Sequence, residues 1–201
     1  MFSKCELSKN SWLVVGRLSE ENATKALENF DAMYALRPKE SRVLVGTEKV
    51  ETVSNRGHAS YGCTPMDPTK PRKSYMFSGW DVSRNTDPLP EVFAPAKLEG
   101  FNQYVVNWYD GGDDIPMHSD CVEGMVPGAS IAIVSLGAPR TLHFVSRDSP
   151  RHGIALRVDH GSVVYMCGDT QKEFRHGVQA GEGKRISVTQ RIYPEACTSR
   201  M

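Results

Sequence analysis

His118, Ser119 and Asp120 set an imidazole and a carboxylate two residues apart, and the later run EFRHG supplies a second imidazole, His176. On a strand, residues two apart project to the same side, so His118 and Asp120 are placed to bind one ion together. In a chain with six histidines, H-x-D by itself arises readily by chance. The pattern gains weight downstream of His176, where KRISVTQR carries Arg185 and Arg191, six residues apart and therefore on one face of a strand. Two imidazoles and a carboxylate on one face of an ion leave the opposite face open, which suits a non-haem Fe(II) centre that binds a cosubstrate and O2. The same ligands with a bound water suit hydrolytic Zn2+. The arginines favour iron, because a guanidinium fork beside the metal pairs with a dicarboxylate that a hydrolase does not need.

Such side chains need strands to hold them, and the second half of the chain supplies candidates. From Phe101 onward short β-type runs alternate with turn residues: FNQYVVNWY, SIAIVSLG, RTLHFV, GIALRV, GSVVYMC and RISVTQRIY. Strands without helices between them predict a sandwich or barrel, with a jelly roll as one solution. Upstream, Ser19 reads as an N-cap before Glu20 and Glu21, and Leu18, Ala23, Leu27, Phe30 and Tyr34 recur at helical spacing until Pro38. RVLVG and VETVS read as strands, residues 55–80 as a long loop or lid rich in Gly, Pro, Ser and basic residues, and PLPEVFAPAKLEG as a short helix. The expected fold is mainly β with flanking helices: an N-terminal helix and strands at 1–54, a lid at 55–84 and a jelly-roll core at 101–193, in one domain. Trp108, between Asn107 and Tyr109, is expected to face away from both.

A chain of 201 residues with 39% hydrophobic and 24% charged residues is sized for one buried core. MFSKCELSKN has no apolar run behind a basic patch, and no stretch approaches the roughly 20 apolar residues of a membrane span. A monomer inside the cell, cytoplasmic or nuclear and without membrane attachment, is the expectation. Five scattered cysteines without a C-x-x-C pair read as free thiols. Net charge is zero, which argues against gripping a polyanion through bulk electrostatics. Its distribution is uneven: Lys and Arg outnumber Asp and Glu nine to five over 37–84, are outnumbered one to eight over 85–138, and lead ten to six from Pro139 onward. Solvated surface charge accounts for this, and one face is still able to meet a polyanion.

In order along the chain, N-x-Y (Asn107, Tyr109), G-x-x-x-I-x-x-H-x-D ending at Asp120, S-L-G-A (135–138), H-G-S-V-V-x-M-x-G-D-T (160–170), His176 and R-x-S-x-T-x-R (185–191) resemble the AlkB family of 2-oxoglutarate and Fe(II)-dependent dioxygenases. PRKSYMFSG (71–79) is similar to that family's nucleotide-recognition lid, and the likeness covers about residues 71–193. The resemblance implies a double-stranded β-helix fold and oxidative demethylation of alkylated bases in DNA or RNA, with release of formaldehyde, succinate and CO2. It implies Fe(II) held by His118, Asp120 and His176, O2 as cosubstrate, and the distal carboxylate of 2-oxoglutarate on Arg185. Asn107, Tyr109, Ser187 and Arg191 would complete the cosubstrate pocket. Many family members carry Asn where Ser187 stands, and a serine still donates one hydrogen bond.

The lid segment mixes Tyr75, Phe77 and Trp80 with Lys70, Arg72 and Lys73, a combination suited to stacking a flipped base while cations hold phosphates. Packing under the lid is the plainer role for the aromatics, Phe77 above all. Family members often place an acidic residue just after H-x-D to read the base. Here Cys121 and Val122 intervene, and Glu123 is the nearest acid. Among the other histidines, His143 is the one expected near the pocket, while His58, His152 and His160 read as loop or core residues. Two further functions fit the sequence: an oxygenase acting on a protein or small molecule, and a non-catalytic nucleic-acid-binding module, against which the complete ligand set and both arginines argue.

Overall fold

In the computed structural model, which describes residues 2–45, 50–63 and 87–194, a strand hairpin precedes the expected helix. β1 (Ser3–Glu6) and β2 (Ser11–Arg17) pair antiparallel, and the side chain of Leu13 is fully buried. The helical region then follows as expected from its cap. Ser19 Oγ accepts from the Asn22 amide, Glu20 and Glu21 lie in the first turn, and Lys25 pairs with Glu21 one turn on. The helix is divided at Asn29 into α1 (Glu20–Glu28) and α2 (Phe30–Ala35). The buried face is offset from the expected stripe: Ala26 and Met33 are fully buried and Leu18, Phe30 and Tyr34 pack against the same core, while Leu27 is exposed.

RVLVG and VETVS form the hairpin β3 (Arg42–Val45) and β4 (Val50–Val53), a two-stranded sheet of its own. Part of the segment expected as a lid is a strand instead: Gly57–Gly62 forms β5, paired along β6 (Gln103–Tyr109), and residues 64–84 of the expected lid lie outside the described residues. The small and polar residues of β5 hide a strand pattern in which His58 and Ser60 are buried. PLPEVFAPAKLEG contributes a 3-10 helix, Glu91–Ala96, with Phe93 and Ala96 fully buried. Tyr75, Phe77, Trp80, Arg72 and Lys73, to which base stacking and phosphate contact were assigned, lie outside the described residues.

The remaining strands are β7 (Ile115–His118), β8 (Ile131–Gly137), β9 (Arg140–Ser146), β10 (Gly153–Val158), β11 (Ser162–Gly168), β12 (Phe174–Val178) and β13 (Arg185–Arg191), with a single-turn α3 at Thr170–Glu173. Seven strands form one sheet in the order β1-β2-β11-β8-β13-β6-β5, and four form a second in the order β10-β9-β12-β7. This mostly antiparallel two-sheet arrangement is the expected jelly roll, and the N-terminal hairpin is part of it.

Two apolar cores result. One lies between the sheets and includes Leu13, Ile133, Leu142, Phe144, Phe174 and Val178. The other lies between the larger sheet and the helices, where Met33, Phe93, Trp108, Leu136, Ile186 and Val188 meet. Trp108 turns away from Asn107 and Tyr109, and its indole N–H donates to the Met33 carbonyl at 2.8 Å. Central strands are covered on both faces, so every residue of β13 is buried. Its odd-numbered residues, Arg185 to Arg191, face the interior between the sheets, while Ile186 and Val188 pack under the helices. Among the described residues no helix is long and apolar enough to cross a membrane, and Cys5, Cys121 and Cys167 are free thiols.

Candidate metal centre and cosubstrate cavity

The antiparallel pairing of β12 with β7 sets His176 directly opposite His118, with ring centroids 4.4 Å apart. Asp120 lies just beyond the end of β7, not on the strand, and contacts within the loop bring it back. Its backbone amide donates to Gln171 Oε1 at 2.8 Å, while Ser119 Oγ donates to the Phe174 carbonyl at 2.8 Å and accepts from Arg147 at 2.7 Å. The loop is thereby tied to α3 and to the strand that carries His176. Ligand atoms of His118, Asp120 and His176 consequently all lie within 4.8 Å of one another.

Hydrogen bonding and burial orient these ligands. His118 Nδ1 donates to the Pro116 carbonyl at 2.9 Å, which turns Nε2 toward Asp120. His176 is 4% exposed and stacks on Phe144. Burial, together with His118 and Arg191, pushes its pKa down to about 4 against the pull of Asp120, leaving a neutral imidazole at neutral pH. Burial pushes the Asp120 carboxyl up, but Arg191 and the two histidines outweigh it and hold the group below the usual carboxylate range. Arg191 approaches Asp120 Oδ1 at 3.0 Å, and its other terminal nitrogen donates to Gln103 Oε1 at 3.1 Å. Asp120 Oδ2 is buried and bonds no protein donor.

The cluster opens on a cavity between the sheets, lined also by Arg185, Ser187 and Asn107. Arg185, fully buried, stacks its guanidinium over Tyr109 at 4.6 Å and donates through Nε to Ser135 Oγ at 3.0 Å. Both of its terminal nitrogens are buried without a partner. A buried cation with its bidentate edge unbonded is costly unless a ligand meets it. Ser187 lines the same wall, 3.3 Å from the Tyr109 hydroxyl, and Asn107 faces it across the β6–β13 register. The donor set therefore fits both groups: two imidazoles and an unbonded carboxylate oxygen for Fe(II), and Arg185 with its neighbours for a dicarboxylate.

Several predicted positions fall elsewhere. Glu123 is exposed in a turn and does not line the cavity. His143 bonds Gln179 at 3.1 Å and also lies outside the cavity. His160 is structural, accepting from the Gly137 amide at Nδ1 and donating to the Ala23 carbonyl at Nε2. Conversely, His58 and Arg56 line the cavity and were not marked by the sequence. Neither belongs to a motif, and only the pairing of β5 with β6 brings them in. Gln171, Gln103 and Arg147 act on the ligands through tertiary contacts that have no fixed spacing.

The sequence matches the profile of the 2OG-Fe(II) oxygenase superfamily over residues 13–192. It is 37% identical over 140 residues to the DNA oxidative demethylase ALKBH2 of Mus musculus, covering 61% of this chain and 54% of that protein. It is 29% identical over 108 residues to the alpha-ketoglutarate-dependent dioxygenase alkB homolog 3 of Rattus norvegicus, covering 47% of this chain and 37% of that one. The aligned stretches thus span between about a third and a half of these relatives. The solved structure of OsALKBH1 shares the fold, with a TM-score of 0.56 at 13% identity over 89% of this chain and 97% of that one. The profile spans nearly all of the jelly roll, so the chain belongs to the 2OG-Fe(II) oxygenase superfamily, and within it the chain is similar to AlkB homologues.

Proposed function

We propose that this protein uses Fe(II), 2-oxoglutarate and O2 to demethylate alkylated bases in DNA or RNA oxidatively. The observation that carries the oxygenase chemistry is one cavity holding both the His118–Asp120–His176 cluster and the unbonded, buried edge of Arg185. The nucleobase is supported by the likeness to a DNA oxidative demethylase.

In this reading His118, Asp120 and His176 hold the metal, and Arg185 takes the distal carboxylate of 2-oxoglutarate. Bound iron and cosubstrate supply the oxidising power, inserting one oxygen atom of O2 into a methyl C–H bond while the other ends in succinate as CO2 leaves. The hydroxymethyl group on the base nitrogen then departs as formaldehyde. The protein's part is to orient and shield. Arg191 keeps Asp120 ionised, the Pro116 carbonyl orients the His118 ring, and the apolar wall of Ile133, Leu142 and Val178 limits water in the cavity.

The test is mass spectrometry of methylated DNA, RNA and peptide substrates incubated with Fe(II), ascorbate and 2-oxoglutarate. Loss of a methyl group from an oligonucleotide, absent with His118→Ala, supports the reading. Succinate formation stimulated only by peptides overturns the nucleobase assignment, and demethylation that survives His118→Ala overturns the metal assignment.

A further inference from the structure

Arg56 reaches the cavity from the turn before β5, where its Nε donates to Asn107 Oδ1 at 3.1 Å and a terminal nitrogen approaches Ser54 Oγ at 3.4 Å. A guanidinium has donors and no acceptor, so it bonds the oxygen of a carboxamide and never its NH2. This settles which way the Asn107 amide points. Its oxygen is committed to Arg56, and among the described residues its nitrogen bonds no protein acceptor, although the side chain is 6% exposed and lines the cavity. Across the sheet, Asn107 is in register with Ser187, two residues along β13 from Arg185. An unrestrained amide could present either atom to that space, and the oxygen would repel a carboxylate.

We propose that Arg56 is a positioning residue for the cosubstrate: it poles the Asn107 amide so that the nitrogen is offered to a carboxylate of 2-oxoglutarate. The proposal rests on the assignment of this cavity to 2-oxoglutarate. Arg56 acts through Asn107, and its effect should vanish when that amide is gone.

The experiment is calorimetric binding of 2-oxoglutarate to the Mn(II)-loaded protein, which requires no turnover, for the wild type, Arg56→Ala, Arg56→Lys, Asn107→Ala and the Arg56→Ala/Asn107→Ala double variant. Arg56→Ala is expected to raise Kd about ten-fold or more, the scale of a hydrogen bond to a charged group. Arg56→Lys, which still donates to the oxygen, should stay within about three-fold of wild type, and the double variant should bind no more weakly than Asn107→Ala. If Arg56→Ala does not fold, Arg56→Gln takes its place, since glutamine offers an oxygen as readily as a nitrogen and leaves the amide unpoled. Wild-type affinity in Arg56→Ala or Arg56→Gln, or an equal loss with and without Asn107, overturns the proposal. So does a matching loss of Mn(II) binding, read by electron paramagnetic resonance, which would place Arg56 in the support of the metal site. A wild-type protein that binds Mn(II) but no 2-oxoglutarate refutes the cosubstrate assignment itself, a separate failure that takes this proposal with it.

Discussion

Arg191 and Asp120 form an ion pair at 3.0 Å in which both side chains are 4% exposed, and the other carboxylate oxygen, 3.8 Å from His176 Nε2, is the one that accepts no hydrogen bond. The arginine therefore divides the work of the carboxylate, holding Oδ1 and leaving Oδ2 for a metal. Removing it strands a buried charge. Arg191→Gln is expected to destabilise the metal-free protein by about 3–5 kcal/mol and to weaken Mn(II) binding about ten-fold or more. Urea denaturation and metal titration check the two effects.

Arg185 should behave in the opposite way. Its terminal nitrogens have no protein partner, so Arg185→Ala breaks no ion pair in the ligand-free fold. Its loss should instead leave a ligand carboxylate unmatched, at a cost of about 2–5 kcal/mol in cosubstrate binding, or about 30-fold or more in KM for 2-oxoglutarate. A thermal shift series with and without 2-oxoglutarate distinguishes the two arginines. Only Arg191→Gln should lower the melting temperature of the ligand-free protein strongly.

The metal-free protein should lose stability as pH falls below about 6.5. The His176 pKa lies near 4 in the fold against 6.5 for an ordinary imidazole, and that of Asp120 is also lowered. Across that interval the unfolded chain binds the His176 proton and the folded chain does not, so acid favours unfolding. The imidazole alone accounts for about 3 kcal/mol between pH 6.5 and 4, and Asp120 adds to the loss at lower pH. Urea midpoints across this range should fall for the wild type and flatten in His176→Gln, whose side chain does not titrate. An unchanged midpoint for the wild type would contradict the assignment.

Gly177 offers a test of the ligand geometry that touches no ligand. A Cβ there would sit 2.8 Å from the Ile115 carbonyl oxygen and 2.9 Å from Met117 Sδ. Gly177→Ala must push β7 away from β12, and with it His118 from His176. A cost of about 1–3 kcal/mol is expected, together with weaker Mn(II) binding. Retained metal affinity would show that the two strands separate without moving the imidazoles.

Much of the site was legible because its signals are local. H-x-D marked the right pair for a reason the fold does not use, since Asp120 lies past the end of β7 and its loop contacts place it. Arg185, Ser187 and Arg191 keep to one side of a single strand, so period announces them. The Ser19 cap and the strands from β6 to β13 were readable for the same reason, except β7 and β12, which are short and carry polar or glycine residues. β5 escaped because Gly57, His58, Ser60 and Gly62 resemble a loop, and Arg56 and His58 escaped with it. The expectation for His143 failed because neighbouring strand positions face opposite ways: Phe144 points into the core, so His143 points out.

What the sequence determined by itself is the inventory of the chemistry: two imidazoles, a carboxylate and a pair of arginines, in an order that fits an iron and a dicarboxylate. What only the tertiary structure decided is which way that chemistry faces. The alternation of RISVTQR reads, on a single strand, as a polar face toward water and an apolar face toward a core. Helices cover the apolar face of β13 and a second sheet covers the polar one, so Arg185 and Arg191 are buried in a cavity instead of solvated. In that environment a guanidinium must find an anion. Arg191 finds Asp120 within the chain, and Arg185 is left for a ligand.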